Sequence, residues 1–414
     1  MEKGNEIKTV VPALRFPEFI KTRGWEIVLI DNIGETYGGL TGKNKTDFGY
    51  GEKYVTYKQV YNNSSVDITH CELVCINSSE KQNHVKFGDI LFTQSSETPE
   101  EVGISSVMLD KTNDAIYLNS FCFGLRPFDL KKISPYFSKY LFRSQIFRDR
   151  IIPLAQGITR FNISPTKFKT IKIPIPTSIY NDQENIEQQK IANCLSSLDE
   201  LIEATTQKVE ALKEHKKGLI QRLFPTGGKD VPDLRFPEFL GVKKWERKII
   251  QDICNITTGN KNTQDKKENG IYPFFVRSPK VERIDSWSFD GEAILTAGDG
   301  VGVGKIFHYY VGKMGVHQRV YLLYNIQCNS KYLYYFFSEF FYERVKKMSA
   351  KNSVDSVRKD MISDMPLLLP SFHEQEKIAD CLSSLDELIE VTSRKVEILK
   401  EHKKGLMQQL FPKI

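Results

Sequence analysis

The stretch "EQQKIANCLSSLDELIEATTQKVEALKEHKKGLIQRLFP" occupies residues 187–225, and a near copy, "EQEKIADCLSSLDELIEVTSRKVEILKEHKKGLMQQLFP", occupies residues 374–412. The two copies differ at eight of 39 positions. Apolar residues recur in both with a 4-3-4-3 spacing, which predicts two long helices that carry a coiled-coil seam. The seam positions are Ile191, Leu195, Leu198, Ile202, Val209, Leu212, Leu219 and Leu223 in the first copy, and Ile378, Leu382, Leu385, Ile389, Val396, Leu399, Leu406 and Leu410 in the second.

A second repeat precedes each helix. "VPALRFPEF" occupies residues 11–19 and "VPDLRFPEF" occupies residues 231–239, and a tryptophan, Trp25 or Trp245, follows each at the same distance. The chain therefore reads as motif, variable region and helix, twice over. "PTGGKD" after the first helix has the composition of a linker.

The order of these segments predicts how the helices pair. The first helix leads from the first variable region to the second, so two helices that pair along their length must be antiparallel. One variable domain then lies at each end, around a pseudo-twofold axis. Phe411 is expected near the first motif and Phe224 near the second. The expected domains are residues 1–182 and 226–371 for the two globular domains, and residues 183–225 and 372–414 for the two helices.

Each variable region has the pattern of a small α+β domain. "FGDILFT" and "GEAILTA" are apolar strands that run into polar or glycine-rich loops. Aromatic-rich helices are expected at residues 134–151 and 330–348. A short proline-bounded strand follows each of them, "IKIPIP" in the first region and "MPLLLP" in the second. This common order indicates two divergent copies of one α+β fold.

Composition excludes several classes of protein. With 40% hydrophobic and 27% charged residues, the 414-residue chain has enough apolar material for more than one core. The net charge of +6 fits a nucleic-acid partner without requiring one. Seven cysteines without a CxxC pair, and no export signal, predict reduced thiols in the cytoplasm. No apolar run reaches the about 18 residues of a membrane span.

The candidate motifs for nucleotide, metal and catalytic sites are incomplete. "AGDGVGVGK" at residues 297–305 lacks the glycine and the Ser or Thr of a phosphate-binding loop, so it is interpreted as a glycine-rich strand connection. His70, Cys71 and Cys75 lack a second ligand pair for a metal. "EHK" at residues 214–216 and 401–403 is interpreted as solvated helix charge. We find no methyltransferase, hydrolase or nuclease motif, and we therefore expect no catalytic residue and no metal site.

The two near-identical segments open "EQxKIAxCLSSLDELIE", and the variable regions contain "GDILFTQSSETPEEVG" and "VGKMGVHQRVYLL". Through these segments the chain resembles the specificity subunit of type I restriction–modification systems over nearly its whole length. The resemblance implies two target-recognition domains, each reading one half of a split double-stranded DNA site. It also implies that the paired helices set the distance between the halves and dock two modification subunits. Those subunits carry S-adenosylmethionine and methylate adenine at N6. Two restriction subunits, which use ATP and Mg, complete the complex, and the specificity subunit itself binds no cofactor.

Candidate DNA-binding residues lie in the polar loops of the two variable regions. In the first they are Gln94, Ser95, Ser96, Glu97, Arg160, Asn162, Lys167 and Lys169. In the second they are Asn260, Lys261, Arg277, Ser278, Asp299, Lys305, Gln318 and Arg319. Arg, Asn and Gln can bond two base-edge groups at once, whereas Lys and Ser more often hold phosphate. His317 is expected to pack beside a strand rather than to contact a base.

Two other functions compete with this interpretation of the sequence. A single-chain restriction–modification enzyme would need the methyltransferase and nuclease motifs that are missing. A coiled-coil adaptor that joins two partner proteins without touching DNA agrees equally well with the helices. The polar loops of the variable regions favour DNA, and salt-dependent DNA binding would separate the two functions.

Overall fold

The computed structural model describes residues 9–176, 186–242, 245–300, 302–348 and 356–413. Packing divides the chain into two compact units, Met1–Ala204 with Val396–Ile414, and Thr205–Lys395. Each unit therefore combines one variable region with the first half of the long helix that follows it and the last half of the other long helix. The expected domain boundary between residues 182 and 183 lies outside the described residues.

The first unit is built from small, mostly antiparallel sheets flanked by short helices. Its strands are β1 (Thr9–Val10), β2 (Trp25–Leu29), β3 (Gly34–Gly38), β4 (Phe48–Val55), β5 (Glu72–Val74), β6 (Ile90–Thr93), β7 (Ser95–Ser96), β8 (Ser105–Val107), β9 (Ile116–Leu118), β10 (Cys122–Pro127), β11 (Phe161–Asn162) and β12 (Lys172–Ile175). Its helices are α1 (Tyr57–Asn62), α2 (Pro135–Leu141), α3 (Gln145–Ile151), α4 (Pro165–Lys169) and the start of α5 (Ile186–Leu223). The central sheet has the order β3-β10-β6-β8, and separate sheets have the orders β1-β2-β12, β5-β4-β9 and β11-β7.

The second unit repeats this plan around a larger sheet. Its strands are β13 (Glu246–Ile249), β14 (Asn255–Thr258), β15 (Tyr272–Phe275), β16 (Glu282–Ile284), β17 (Phe289–Ala297), β18 (Phe307–Val316), β19 (Val320–Tyr324) and β20 (Pro366–Leu369). Its helices are α6 (Ser330–Met348), α7 (Lys359–Ser363) and most of α8 (Phe372–Leu410). The large sheet has the order β14-β19-β17-β18-β15-β16, and β13 pairs with β20. The glycine-rich segment joins β17 to β18, as interpreted from the sequence.

The two variable regions are divergent copies of one mixed α+β fold. β2 pairs antiparallel with β12, and β13 pairs antiparallel with β20. In both copies the strand before the polar loop, β6 or β17, pairs antiparallel with β10 or β19. The predicted helix at residues 134–151 is two helices, because Ser144 has an extended backbone and its hydroxyl bonds the Leu141 carbonyl. The matching helix α6 is continuous.

The two repeated segments form the long helices α5 and α8, as predicted. All sixteen predicted seam residues are buried or half-buried. Leu195 and Leu382 are fully buried, whereas Val391 and Ile398 on the outer face of α8 are 61% and 62% exposed. In the first unit Leu410 of α8 packs into the same core as Leu195 of α5. The seam therefore stabilises each unit by burying apolar surface from both helices.

An ion pair joins the two helices in each unit and holds a tyrosine of the globular part. In the first unit Lys403 of α8 pairs with Asp199 of α5, and the Tyr140 hydroxyl donates to Asp199 at 2.8 Å. Burial raises the pKa of Asp199, but Lys403 and then Tyr140 outweigh burial and lower it below its usual range. These contacts join α2 to both long helices.

The second unit contains the same arrangement. Lys216 of α5 pairs with Asp386 of α8 at 2.5 Å, and the Tyr335 hydroxyl donates to Asp386 at 2.7 Å. The first half of one helix thus lies against the last half of the other in each unit, as antiparallel helices require. The interpretation of the two EHK segments as solvated charge is wrong for their lysines, Lys216 and Lys403, because each faces an aspartate across the seam.

The short repeated motif clamps the start of each helix. Arg15 donates through Nε and Nη2 to the two oxygens of Glu187, both at 2.7 Å, and Trp25 Nε1 donates to the same carboxylate at 3.0 Å. In the second unit Arg235 forms the same two bonds to Glu374, at 2.7 and 2.8 Å. A two-bond arginine–carboxylate pair is both strong and directional. The motif therefore locks its helix onto its own globular part.

Aromatic packing closes each unit at the far helix end. Phe411 lies edge-on to Trp25, with ring centroids 6.0 Å apart, and the Leu14 N–H donates to the Gln409 carbonyl at 3.0 Å. This confirms that the second helix ends beside the first motif.

The first helix ends beside the second motif in the same way. Phe224 packs on Tyr332 at 5.0 Å, and the Leu234 N–H donates to the Arg222 carbonyl at 2.8 Å.

Candidate nucleic-acid interface

The polar loop of the first unit begins where β6 ends. The Gln94 N–H donates to the Phe121 carbonyl at 2.8 Å, and the Ile163 N–H donates to the Gln94 carbonyl at 3.1 Å. β7 then pairs with β11, so that Ser95 faces Asn162. Three chain segments that are distant in sequence therefore meet at one strand end.

The second unit has the same backbone geometry after β17. The Gly298 N–H donates to the Arg319 carbonyl at 2.8 Å, and the Val357 N–H donates to the Gly298 carbonyl at 2.7 Å. Asp299 forms a bridge with Ser356. Asp299 is thus equivalent to Ser95, and Arg319 is equivalent to Phe121. The two units therefore share one backbone frame at this loop, and the side chains that the frame presents differ.

The first cleft, at the loop of the first unit, has a volume of about 340 Å³ and combines aromatic with polar side chains. It is lined by Tyr57, Tyr61, Ser95, Ser96, Glu97, Glu101, Phe121 and Arg160. The Tyr57 and Tyr61 rings are nearly parallel, and the Arg160 guanidinium lies 5.9 Å from the centre of the Phe121 ring. Phe121 is 52% exposed.

This lining suits contact with bases. Aromatic faces and thymine methyl groups make apolar contacts, and glutamate accepts from the amino group of cytosine. Tyr61 donates to Glu101 at 2.9 Å, which leaves Glu97 as the other carboxylate of the cleft. Burial raises the pKa of Tyr57 to about 12, so its hydroxyl stays protonated and can donate a hydrogen bond.

The second cleft, at the equivalent loop of the second unit, has a volume of about 460 Å³ and is polar. It is lined by Asn262, Thr263, Gln264, Arg277, Asp299, His317, Gln318 and Arg319. Arg277 Nη1 donates to Asp299 at 2.8 Å, and Arg319 Nη1 lies 3.3 Å from the other oxygen of that carboxylate. The Arg277 and Arg319 side chains are 44% and 63% exposed, against 18% for Asp299.

His317 supports the floor of the second cleft. It is buried, its Nδ1 accepts the Arg319 backbone N–H at 3.0 Å, and its Nε2 lies 3.2 Å from the Thr263 hydroxyl. Burial, and then the charge of Arg277, lower the pKa of His317. A neutral ring is what an accepting Nδ1 requires. The expectation that His317 packs beside a strand is confirmed.

The structure brings together only part of the predicted DNA-binding set. Ser95, Ser96, Glu97 and Arg160 meet in the first cleft, with Gln94 immediately beside it. Arg277, Asp299, Gln318 and Arg319 meet in the second.

Other predicted residues do not line the described parts of either cleft. They are Asn162, Lys167, Lys169, Asn260, Lys261, Ser278 and Lys305. Several already have partners inside the protein. Lys169 pairs with Asp31 at 3.0 Å, Lys261 bonds the Ser286 hydroxyl at 2.9 Å, and Lys305 lies 5.0 Å from the ring centre of Tyr342.

Sequence reasoning missed several lining residues. In the first cleft they are Tyr57, Tyr61, Glu101 and Phe121, and in the second they are Asn262, Thr263 and Gln264. Tyr57 and Tyr61 have helical spacing, which indicates a core face as readily as a cleft wall. One sequence feature could have identified Phe121, because this residue stands just before an apolar strand, as Arg319 does.

Comparisons with known proteins agree with this duplicated frame. The family model for the type I restriction modification DNA specificity domain matches residues 22–214 and again residues 242–401. These two matches span most of the chain. The chain belongs to the family of type I restriction–modification specificity subunits. Specificity subunits are the non-catalytic components of type I systems and supply recognition of the DNA sequence.

Individual relatives are distant in sequence. A candidate type I restriction enzyme MjaX specificity subunit of Methanocaldococcus jannaschii is 25% identical over 419 residues, spanning 94% of this specificity subunit and 92% of the relative. The EcoDI specificity subunit of Escherichia coli is 29% identical over 171 residues, which is 40% of this chain and 37% of that one.

Two solved structures share the fold. The crystal structure of the type I S subunit from M. genitalium matches with a TM-score of 0.60 and 18% identity, covering 98% of this specificity subunit and all of that chain. A chain from a study of assembly and conformational transition of the type I system matches with a TM-score of 0.56 and 16% identity, covering 94% and 98%.

The described residues hold no cluster of three or more His, Cys, Asp or Glu that could bind a metal. All seven cysteines are free thiols. No helix in the described ranges is long and apolar enough to cross a membrane.

Proposed function

We propose that this specificity subunit binds a bipartite, asymmetric DNA site, with the first cleft reading one half and the second cleft reading the other. The observation that carries the proposal is one backbone frame, present twice, that presents unlike side chains at equivalent positions. Ser95 and Phe121 occupy in the first cleft the places of Asp299 and Arg319 in the second. Base readout needs side chains that differ on a frame that stays constant.

We further propose that the two long helices form one antiparallel coiled coil that separates the half-sites and docks two modification subunits. Support comes from the repetition, since a partner that binds twice in the same way needs the same surface twice. Each modification subunit would use S-adenosylmethionine to methylate an adenine at N6, after extruding that base from the stack. Two restriction subunits, with ATP and Mg, would complete the assembly.

Methylation mapping tests this proposal. Genomic DNA is compared between cells that carry this chain with its modification subunit and cells that carry the modification subunit alone. We expect N6-methyladenine in a bipartite asymmetric motif with a fixed gap, present only when this chain is expressed. Unchanged methylation beside an active modification subunit would refute DNA recognition and leave the coiled-coil adaptor.

A shortened chain tests the pseudo-symmetry. Residues 1–225 keep one motif, one variable region and α5. In the whole chain Met407, Leu410 and Phe411 of α8 complete the first core. The equivalent residues of α5 are Ile220, Leu223 and Phe224 in the repeat, so a second copy of the shortened chain can supply them.

We therefore expect residues 1–225 to form a dimer and, with the modification subunit, to methylate an interrupted palindrome built from the first half-site. Light scattering measures the mass, and methylation mapping measures the motif. A monodisperse monomer in the presence of the modification subunit would contradict this expectation.

A further inference from the structure

The second cleft contains an arginine pair that shares one carboxylate. Asp299 follows β17 and presents one oxygen to Arg277 and the other to Arg319. The carboxylate is mostly covered, whereas both guanidinium groups reach solvent. Such an arrangement restricts arginine rotamers that would otherwise be free in solution.

Arg319 is the more outward of the two. Its backbone is held on both sides, because its N–H donates to His317 Nδ1 at 3.0 Å and its carbonyl accepts the Gly298 N–H at 2.8 Å. One guanidinium nitrogen, Nη1, faces Asp299. Among the described residues no other group bonds the Arg319 guanidinium. The Nε and Nη2 donors of its planar fork are therefore available to an acceptor outside the protein.

We propose that Arg319 reads a guanine in the half-site of the second cleft, and that Asp299, itself held by Arg277, positions the Arg319 guanidinium for that contact. The proposal rests on the proposed function and adds the identity of one base and the residue that selects it. Two parallel N–H donors match the O6 and N7 acceptors on the major-groove edge of guanine. Adenine presents a donor at the position of O6, so it cannot accept both bonds.

The neighbouring carboxylate favours a base over a phosphate. Asp299 places a negative charge beside both arginines, and a phosphate approaching them would meet that charge. A guanine edge carries no net charge, so it gains the two hydrogen bonds without this repulsion. Arg319 is therefore a base-contacting residue, whereas Asp299 is a positioning residue.

The first cleft cannot read guanine in this way. Phe121 stands in the place of Arg319, and Ser95 stands in the place of Asp299. Arg160, the arginine that lines the first cleft, lies over the Phe121 ring instead of beside a carboxylate. The two clefts should therefore specify different bases at equivalent positions, which is the chemical basis of an asymmetric site.

The first test uses the full chain with its modification subunit and maps methylation for three variants and one control variant. We expect the wild-type motif to contain a guanine that becomes any base in Arg319→Ala, while the other specified bases stay the same. Arg319→Lys keeps the charge but loses the fork, so it should lose the same base. Asp299→Ala should weaken that preference without changing others. Arg247→Ala removes an arginine side chain that is 74% exposed and lines neither cleft, so this matched control should leave the guanine specified.

The second test measures binding of the same complex to duplexes in which that guanine is replaced by 7-deazaguanine, which lacks the N7 acceptor. Losing a bidentate contact weakens discrimination by about 5- to 150-fold, and removing one of its two acceptors should cost a substantial part of that. The Arg319→Ala complex should bind both duplexes equally. This binding measurement tests the guanine contact even if a variant complex no longer methylates DNA.

Distinct results would overturn the proposal. Arg319→Ala that weakens binding uniformly on all sequences, and lowers the salt dependence by about one charge, would assign Arg319 to a phosphate. Relaxation at a base other than guanine, or none at all, would also refute it, with the bipartite motif intact. If the wild-type chain itself directs no methylated motif, that result would instead refute the proposed function.

Discussion

Replacing Glu187 with alanine is expected to destabilise the first unit by about 3 to 5 kcal/mol, because it leaves an arginine charge buried without its carboxylate. The Arg15 and Glu187 side chains are only 4% and 1% exposed. Arg15 also donates to the carbonyls of Thr22 and Arg23, at 3.1 and 2.9 Å, so it cannot easily turn out to solvent. Chemical denaturation of the purified chain, followed by tryptophan fluorescence, measures the effect.

Two further variants define the cause. Glu374→Ala breaks the matching pair with Arg235 and should destabilise the second unit by a similar amount. Glu210→Ala on the same helix α5 removes a carboxylate that is 64% exposed and pairs with Lys213, so its effect should stay within about 0.5 kcal/mol. A Glu187→Ala chain as stable as the Glu210→Ala chain would show that the clamp does not hold the unit together.

Lengthening both long helices by four residues is expected to lengthen the gap between the two DNA half-sites. Residues 201–204 and 388–391 are each duplicated, immediately before Thr205 and Thr392, so that native helix-forming sequence and one seam residue are added. Four residues add about 6 Å of helix and turn it by about one full turn plus 40°. At about 3.4 Å per base pair, the gap should grow by one or two base pairs. Methylation mapping gives the new motif.

An insertion elsewhere provides the control. Four residues added between Gly227 and Gly228 lengthen the connection after α5 without lengthening either helix. Both glycines have a positive φ, and a side chain there would meet no atom within 4 Å, so the turn can accept the change. This variant should keep the wild-type gap. An unchanged gap in the helix-lengthened chain, with both half-sites still read, would refute the helices as the element that sets the spacing.

Only local patterns were needed to predict the frame. The 4-3-4-3 spacing of apolar residues specifies a helix with one buried stripe, and α5 and α8 follow it nearly residue for residue. Internal repetition then determined that the chain holds two copies of one plan, and apolar strands such as "FGDILFT" located the loops. Periodicity is a property of neighbouring residues, so it can be read without knowing what lies across the fold.

Only the tertiary structure decided which polar residues are structural and which face the clefts. Glu187 opens a charged segment yet is fully buried, because Arg15, about 170 residues earlier in the chain, supplies its partner. Lys403 looks like a solvated charge and instead faces Asp199. Phe121 and Arg319 become cleft residues through one backbone bond to a distant loop in each unit. The sequence around a polar or aromatic side chain has no periodic pattern that identifies its partner. The role of such a side chain depends on which residues the fold places opposite it.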